Sequence, residues 1–245
     1  MMEVYWLEQS DADVPADNGW LSANEAASLN AMRFPKRRDD WRLGRWTAKN
    51  ALAFYFLSLK VRADPQVLAS LEIRQAPSGA PEVFFQNKPA AATVSLSHRS
   101  GIAACAVACS SAALGCDLEI IEPRSEAFIS DYFTSAEQSL VAEASAVDRL
   151  RLLALLWSAK ESALKALHEG LRIDTRDVIV SPGDAAFDFD GWSPIVVRHI
   201  DRRIFCGWWQ HADGMVRTLV AAPPPNPPTR LRIPDYVSDA GSLCA

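Results

Sequence analysis

The order of segments along the chain restricts its fold more than any other feature of the sequence. A helical segment from about residue 39 to 59 precedes several short segments with strand character, and the same order recurs from residue 148 onward. Capping-box spacings that begin at Ser22 and Thr134 predict a shorter helix in each half. We identify no convincing residue-level repeat. The pattern therefore indicates a mixed α+β chain and suggests, from order alone, that one α+β unit occurs twice.

This order divides the chain into two halves and a tail. We expect an N-terminal half at 1–112, a C-terminal half at 113–222 and a proline-rich tail at 223–245. The second long helix is predicted from Asp148 to His168, with Gly170 as its glycine cap. The proline-rich start of the tail cannot join a central strand, so we expect an extended spacer there and loosely held residues after it.

Positive charge is concentrated in one segment of an otherwise acidic chain. The net charge is −5, which argues against a nucleic-acid partner. Seven basic residues nevertheless lie at the start of the first long helix: Arg33, Lys36, Arg37, Arg38, Arg42, Arg45 and Lys49. Their bland interpretation is a solvated helix face. The functional one is a site for the phosphates of a small, nucleotide-like ligand.

The cysteines and the apolar segments indicate the cellular compartment of the protein. The five cysteines are odd in number and lack CxxC spacing, so they predict neither a zinc site nor a disulfide framework. The acidic N-terminus does not read as a signal peptide, and no apolar segment is long enough to span a membrane. We therefore expect a cytoplasmic protein without a membrane partner.

Two acids on one predicted strand form a candidate metal site. Asp117 and Glu119 are two residues apart, so both side chains lie on the same face of the strand. Two like charges held together repel each other, and a divalent cation with oxygen ligands, Mg²⁺ above all, would relieve that repulsion. For this pair alone, a solvated edge strand with two acids is the better interpretation.

The second long helix carries another acid and a base on one face. Glu161 and Lys165 are four residues apart, a spacing that suits either an exposed ion pair or a carboxylate and an ammonium beside a metal and a phosphate. Trp157 and Leu164 on the same helix are interpreted as core residues. Ser97 and His98, where a strand ends, could bind an anion, although a lone histidine is more often structural.

In chain order these segments resemble the 4′-phosphopantetheinyl transferases, specifically the larger surfactin-synthetase type. The resemblance runs from about Arg33 to Gly170. It rests on four motifs: Ser97-His98, Gly115-Cys116-Asp117-Leu118-Glu119, Phe133-Thr134-Ser135-Ala136-Glu137, and Trp157-Ser158-Ala159-Lys160-Glu161-Ser162-Ala163-Leu164-Lys165. The resemblance implies two similar subdomains related by a pseudo-twofold, each a small antiparallel sheet packed on a long helix. It also implies coenzyme A in the cleft between them, and a monomer.

The same resemblance implies the reaction and the residues that perform it. Phosphopantetheine would pass from coenzyme A to a serine of an apo acyl, peptidyl or aryl carrier protein, with 3′,5′-adenosine bisphosphate released. Asp117, Glu119 and Glu161 would hold Mg²⁺, with Glu161 and Lys165 as catalytic residues. Ser97 and His98 would contact the nucleotide end of coenzyme A. The role of Glu137 is left open between assistance near the metal and a purely capping role.

The basic residues are harder to assign, and other functions stay open. Arg38, Arg42, Arg45 and Lys165 are candidates for the phosphates of coenzyme A. The turn Gly79-Ala80-Pro81 lacks the basic residue that is frequent there in the family, and Arg74 is proposed to substitute. The alternatives are a Mg²⁺-dependent nucleotide phosphohydrolase and a non-catalytic coenzyme A-binding protein.

Overall fold

The structure is a computed structural model, and it describes residues 1–57, 64–168, 173–183 and 191–233. The helices in these ranges are α1 (Ala23–Ala31), α2 (Pro35–Leu57), α3 (Pro65–Ser70), α4 (Glu126–Tyr132), α5 (Ser135–Glu143) and α6 (Ala146–Leu167). The strands are β1 (Tyr5–Ser10), β2 (Leu71–Gln75), β3 (Pro81–Phe85), β4 (Lys88–Pro89), β5 (Ala92–Arg99), β6 (Ile102–Cys109), β7 (Ala113–Ile120), β8 (Val178–Pro182), β9 (Ser193–His199), β10 (Ile204–Ala212), β11 (Met215–Ala222) and β12 (Thr229–Arg230).

Each of the two larger sheets packs against one long helix. The first sheet has the order β12-β1-β6-β5, and the buried side of α2 covers it. The second has the order β7-β11-β10-β9-β8 and packs on α6. The strands pair antiparallel except that β12 runs parallel to β1, and β2, β3 and β4 form a third, small sheet. The α+β fold predicted from the order of segments is confirmed, whereas the pseudo-twofold relation stays a prediction.

Local signals start the shorter helices as the sequence predicts. Ser22 caps α1 and Thr134 caps α5, and in both cases the glutamate three residues later completes the capping box. The first long helix begins at Pro35, earlier than expected, because proline suits the first helical turn. Its predicted last residues, 58 and 59, lie outside the described residues.

The end of α6 differs from the prediction. His168 ends the helix in the left-handed conformation, with φ of 59°, and its backbone N–H reaches the carbonyls of Leu164 and Lys165. The predicted cap, Gly170, lies outside the described residues. The prediction relied on glycine as the residue that ends a helix. Only the residue that closes the last turn needs the left-handed conformation, and here that residue is a histidine.

The two larger sheets meet along β5 and β7. The Ser95 hydroxyl accepts from the Cys116 N–H at 2.9 Å, and the Ser97 hydroxyl accepts from the Leu118 N–H at 3.3 Å. Arg217 on β11 also donates twice to Glu8 on β1, at 2.6 and 2.8 Å. Each of these contacts joins a residue before the boundary predicted at residue 112 to a residue after it, so the two halves share a packed junction.

The segment after β11 runs back along the first sheet. The backbone N–H of Thr229 donates to the Val4 carbonyl at 2.9 Å, and that of Leu231 donates to the Trp6 carbonyl at 2.7 Å. The expectation of a loosely held tail is therefore wrong for residues 229–231. The short strand β12 follows a proline-rich segment, which is possible because β12 lies at the edge of the sheet. Residues 234–245 lie outside the described residues. Within the described part of the chain, no helix has both the length and the apolar character needed to cross a membrane.

Candidate functional site

Strand β7 presents two acids to the junction of the halves. Asp117 and Glu119 alternate with the buried Leu118, as the strand period predicts, and both acids are more than nine-tenths buried. Asp117 lies opposite Thr218 of β11, and Glu119 lies opposite Val216. The strand therefore holds two carboxylates in a place with little water, where repulsion between them is weakly screened.

Asp117 is held by one oxygen only. Its Oδ1 accepts from the Ser97 hydroxyl at 2.8 Å and from the Lys165 ammonium at 2.8 Å. Its Oδ2 is buried and has no hydrogen-bond partner among the described residues. A buried carboxylate oxygen without a donor is costly, so this atom is the one most suited to an added cation or donor.

Glu119 is fixed by groups from three different segments. The Trp157 indole donates to its Oε1 at 3.2 Å, and Arg124 donates to its Oε2 at 3.0 Å. The guanidinium of Arg99 lies 3.8 Å from the same Oε2. Burial and the charge of Asp117 still raise the pKa of Glu119, against the opposite effect of the two arginines and the indole.

Helix α6 brings Glu161 and Lys165 against this strand. It approaches β7 very closely at Gly115, where an added Cβ would lie 1.7 Å from the Ser162 carbonyl oxygen. Burial, with the charges of Asp117 and Glu119, raises the pKa of Glu161. Helix and strand thus place the third carboxylate within electrostatic range of the first two.

Lys165 joins the acids to the backbone of β7. Its ammonium donates to the Cys116 carbonyl at 2.9 Å as well as to Asp117. Burial works against the charge of the ammonium, but Asp117 and the other nearby groups outweigh it, so the pKa of Lys165 is raised. The lysine therefore remains a cation beside the acids, and its side chain is still 28% exposed.

The predicted metal ligands are neighbours but do not converge on one point. Among the described residues, no group of three or more His, Cys, Asp and Glu side chains is arranged to hold a metal ion. Asp117 points toward Ser97 and Lys165, while Glu119 is engaged by Trp157 and Arg124. The donor chemistry still suits Mg²⁺, because the Oδ2 of Asp117 lacks a partner and the acids repel one another.

A cleft of about 1300 Å³ extends from Lys165 into the N-terminal half. Four of the residues predicted to bind coenzyme A line it: Arg45, Arg74, Gly79 and Lys165. The opposite side of Lys165 faces Asp117. The three acids of the cluster do not line this cleft; Lys165, which lines it and donates to Asp117, links the basic residues of the N-terminal half to them.

Arg45 is the most enclosed basic side chain in the lining. Its guanidinium lies over the Trp41 ring, 4.8 Å from the centroid, and its Nε lies 3.7 Å from Glu25. Burial lowers the pKa of Arg45, although Glu25 partly offsets it. The buried Nε has no hydrogen-bond partner among the described residues.

Arg74 is already engaged within the N-terminal half. It donates to Glu72 at 2.8 Å and to Asn87, and its guanidinium stacks 3.9 Å from the Phe84 centroid. Its side chain is one-third exposed. Arg74 thus lines the cleft, as proposed for it, with part of its donor capacity used by protein groups.

Other predicted ligand-binding residues are not part of the cleft lining. Arg42 donates to Asn18 and to the carbonyls of residues 15–17, so it fastens the loop before α1. Arg38 reaches the Met32 carbonyl at 3.5 Å, His98 is exposed, and Ser97 contacts Asp117 instead. The ligand roles of these four residues stay predictions.

Several residues of the site were missed or only partly assigned at the level of sequence. Trp157 packs against the core, as assigned, but its indole also donates to Glu119. Arg37, Trp41 and His168 line the cleft, and Arg124 binds Glu119. A basic residue five positions after Glu119 was the available signal for Arg124, whereas nothing local identifies His168.

Glu137 has no capacity left for a metal. It is 1% exposed. Its Oε2 accepts from the N–H and hydroxyl of Thr134 and from Lys160 at 2.9 Å, and its Oε1 accepts from the Val180 N–H at 2.9 Å. The geometry therefore supports the capping role of Glu137, to which the ion pair with Lys160 is added.

Comparison with known proteins supplies one match that falls on this site. Residues 113–221 match the sequence model of the 4′-phosphopantetheinyl transferase superfamily. The matched segment includes Asp117, Glu119, Glu161 and Lys165. No curated protein is significantly similar to the chain.

Three solved structures are similar to this chain, with low sequence identity and low TM-scores. The holo-(acyl-carrier-protein) synthase of Bacillus anthracis in complex with CoA (3′,5′-ADP) is 16% identical, with a TM-score of 0.36 over 44% of this chain and 95% of that one. The holo-[acyl-carrier-protein] synthase of Thermotoga maritima is 19% identical, with a TM-score of 0.31 over 44% and 61%. That of Helicobacter pylori, in complex with coenzyme A, is 17% identical, with a TM-score of 0.29 over 44% and 99%.

Proposed function

We propose that this chain transfers the 4′-phosphopantetheine group of coenzyme A to a serine of an apo carrier protein. The observation that carries the proposal is the cleft lined by Arg45 and Arg74 of the N-terminal half together with Lys165, whose ammonium is bound to Asp117. Several cations along one cleft suit the phosphates of a nucleotide-like ligand. The match of residues 113–221 to the transferase superfamily supports the same reaction.

Glu161 and Lys165 each have a role in the proposed reaction. The carrier serine hydroxyl attacks the β-phosphorus of coenzyme A, the bond to the leaving 3′,5′-adenosine bisphosphate breaks, and Glu161 takes the serine proton. Its raised pKa makes Glu161 a better proton acceptor near neutrality than an ordinary glutamate. Lys165 neutralises charge on the phosphates, since it stays cationic beside Asp117.

Mg²⁺ is the proposed cofactor of this reaction. Asp117, Glu119 and Glu161 would hold it, and when bound it would neutralise the pyrophosphate and favour departure of the leaving group. The free Oδ2 of Asp117 supports this assignment.

The finer features of the resemblance belong to the same proposal. They are the surfactin-synthetase type, the monomeric two-half form, a cytoplasmic location and an acyl, peptidyl or aryl carrier as partner. The N-terminal half contributes Arg45 and Arg74 to the cleft, which supports a form in which one chain supplies both sides of the site.

The test is the intact mass of an apo carrier protein after incubation with this chain, coenzyme A and Mg²⁺. We expect a mass gain of one phosphopantetheine, lost with EDTA and lost in Asp117→Ala. Glu126→Ala is the matched control, because its acid is largely exposed on α4 and bound only to Arg149.

The other outcomes separate the alternatives. Release of inorganic phosphate from a nucleotide without any carrier would support the phosphohydrolase. Binding of coenzyme A without a mass gain on any carrier type would support the non-catalytic binder. An Asp117→Ala variant with undiminished transfer would refute the proposed metal site.

A further inference from the structure

Lys160 lies beside Glu161 in the sequence but on a different side of α6. Its ammonium is fully buried and has three acceptors: Glu137 at 2.9 Å, the Thr175 carbonyl at 2.8 Å and the Val178 carbonyl. Three donors and three acceptors leave no capacity for a ligand. The lysine therefore contacts protein only, despite its position next to a proposed catalytic residue.

The groups that receive this ammonium are themselves fixed. Glu137 is held by the start of α5 and by the Val180 N–H of β8. The Thr175 hydroxyl donates to the Tyr132 carbonyl at 2.9 Å, which ties the same point to the end of α4. Lys160 is thus a single anchoring point where three segments meet α6.

We propose that the buried Lys160–Glu137 pair is a positioning device, which fixes the rotation of α6 so that Glu161 and Lys165 face Asp117. Adjacent helix residues point about 100° apart, so fixing Lys160 also fixes the direction of Glu161, and Lys165 follows one turn later. The hydroxyls of Ser158 and Ser162 hold α6 to Thr218 of β11, at 2.8 and 2.7 Å. The Lys160 ammonium, bound to three acceptors, adds a second fixed point on other segments. This inference rests on the proposed function for its kinetic consequence.

The N-terminal half contains the same arrangement, which supplies a matched control. Lys49 of α2 donates to Glu25, to the Trp20 carbonyl at 3.0 Å and to the Leu68 carbonyl at 3.0 Å. Glu25 in turn accepts from the Ile73 N–H at 3.2 Å, as Glu137 does from Val180. The residue after Lys49 is a neutral amide, so this pair anchors a helix that carries no acid at the corresponding place.

The test compares two double variants, Lys160→Met/Glu137→Gln and Lys49→Met/Glu25→Gln. The first removes both members of the Lys160–Glu137 pair, so it leaves no unpaired buried charge. The second removes both members of the Lys49–Glu25 pair, but it also takes Glu25 from beside the enclosed Arg45. We expect the first to lower kcat at least roughly tenfold while KM for coenzyme A changes less than about threefold. The second should keep kcat within about threefold of wild type, because α2 carries none of the proposed catalytic residues, and any change should fall on KM for coenzyme A, because Glu25 lies beside Arg45. A folded first variant with wild-type kcat overturns the proposal.

A spectroscopic readout makes the test independent of turnover. The Trp157 indole N–H donates to Glu119 across the gap between α6 and β7, so its NMR signal reports the rotation of the helix. We expect the signal, assigned with Trp157→Phe, to move toward that of a free indole in the first variant and to stay in place in the second. An unchanged signal in the first variant also overturns the proposal.

Two further outcomes remain decisive. If the wild-type chain transfers no phosphopantetheine, the proposed function fails and the indole signal alone decides the positioning role. If the first double variant does not fold, Lys160→Met replaces it, since Glu137 then keeps its bonds to Thr134 and to the Val180 N–H. Wild-type kcat with an unchanged indole signal in Lys160→Met would refute the inference.

Discussion

Replacing Gly115 by alanine should damage the site without touching any charged residue. The Cβ of the alanine would lie 1.7 Å from the Ser162 carbonyl oxygen and 2.9 Å from the Ala166 nitrogen. Real Cβ contacts essentially never fall under 3.0 Å, so strand and helix must separate by at least about 1.3 Å at this point. Both colliding atoms belong to backbone, and no side chain can rotate out of the way.

The magnitude follows from what this separation moves. Overpacking a tight contact costs about 1–3 kcal/mol, and a backbone-to-backbone collision belongs at or above the upper end of that range. Gly115 lies two residues before Asp117, and Ser162 follows Glu161 directly. A displacement of about 1 Å between reacting groups can cost about a hundredfold in rate. We therefore expect a loss of about 3 kcal/mol in unfolding free energy and a fall of about a hundredfold in kcat/KM.

Urea denaturation and the carrier-mass assay measure the two effects. Gly44→Ala is the matched control, because Gly44 lies inside α2 and an added Cβ there meets nothing within 4 Å. Alanine is the better helix former by about 1 kcal/mol, so this control should be neutral or slightly stabilising. A Gly115→Ala variant within about 1 kcal/mol of wild type and fully active would show that α6 does not depend on this contact.

Three other predictions follow from the charges. The pKa values of Glu119 and Glu161 are raised, so these two carboxyls bind more protons in the folded chain than in the unfolded chain as pH rises above 4.5, and their contribution to stability is lost through that window. In EDTA the melting temperature of Glu161→Gln should therefore fall less steeply with rising pH than that of the wild type, and an equal pH dependence would contradict the assignment. Arg217→Met should cost about 3–5 kcal/mol in urea denaturation, since Glu8 is left partly buried and unpaired; a loss below about 1 kcal/mol would refute this. Arg45→Met should weaken coenzyme A binding about tenfold or more by calorimetry while kcat changes little, and unchanged affinity would place the phosphates elsewhere.

Features set by neighbouring residues could be predicted from the sequence. The capping boxes at Ser22 and Thr134 and the shared face of Asp117 and Glu119 depend on spacings of two or three residues, and the structure has them. These features fix where elements start and which side chains share a face. They do not determine which distant segment meets that face.

Contacts between distant segments could not be predicted in this way. Lys49 belongs to a basic segment interpreted either as a solvated face or as a phosphate site, yet it is fully buried against the Trp20 and Leu68 carbonyls and the Glu25 carboxylate. Trp157 reads as a core residue by composition, and only the fold shows that its indole reaches Glu119. A buried lysine is acceptable only where the chain supplies several acceptors, and nothing in the local sequence shows that it does.

The two anchored helices explain how similar local sequence can serve different ends. Trp46-Thr47-Ala48-Lys49 and Trp157-Ser158-Ala159-Lys160 are alike, and both lysines are buried by a glutamate from a capping box. The next residue differs: Asn50 is buried and donates to the Trp46 carbonyl, whereas Glu161 is partly exposed toward the acids of β7. A buried carboxylate at Asn50 would have no free cation, because the neighbouring ammonium is already bound to three acceptors. Helix α6 can therefore carry Glu161, the proposed proton acceptor, while α2 contributes Arg45 to the cleft that Lys165 also lines.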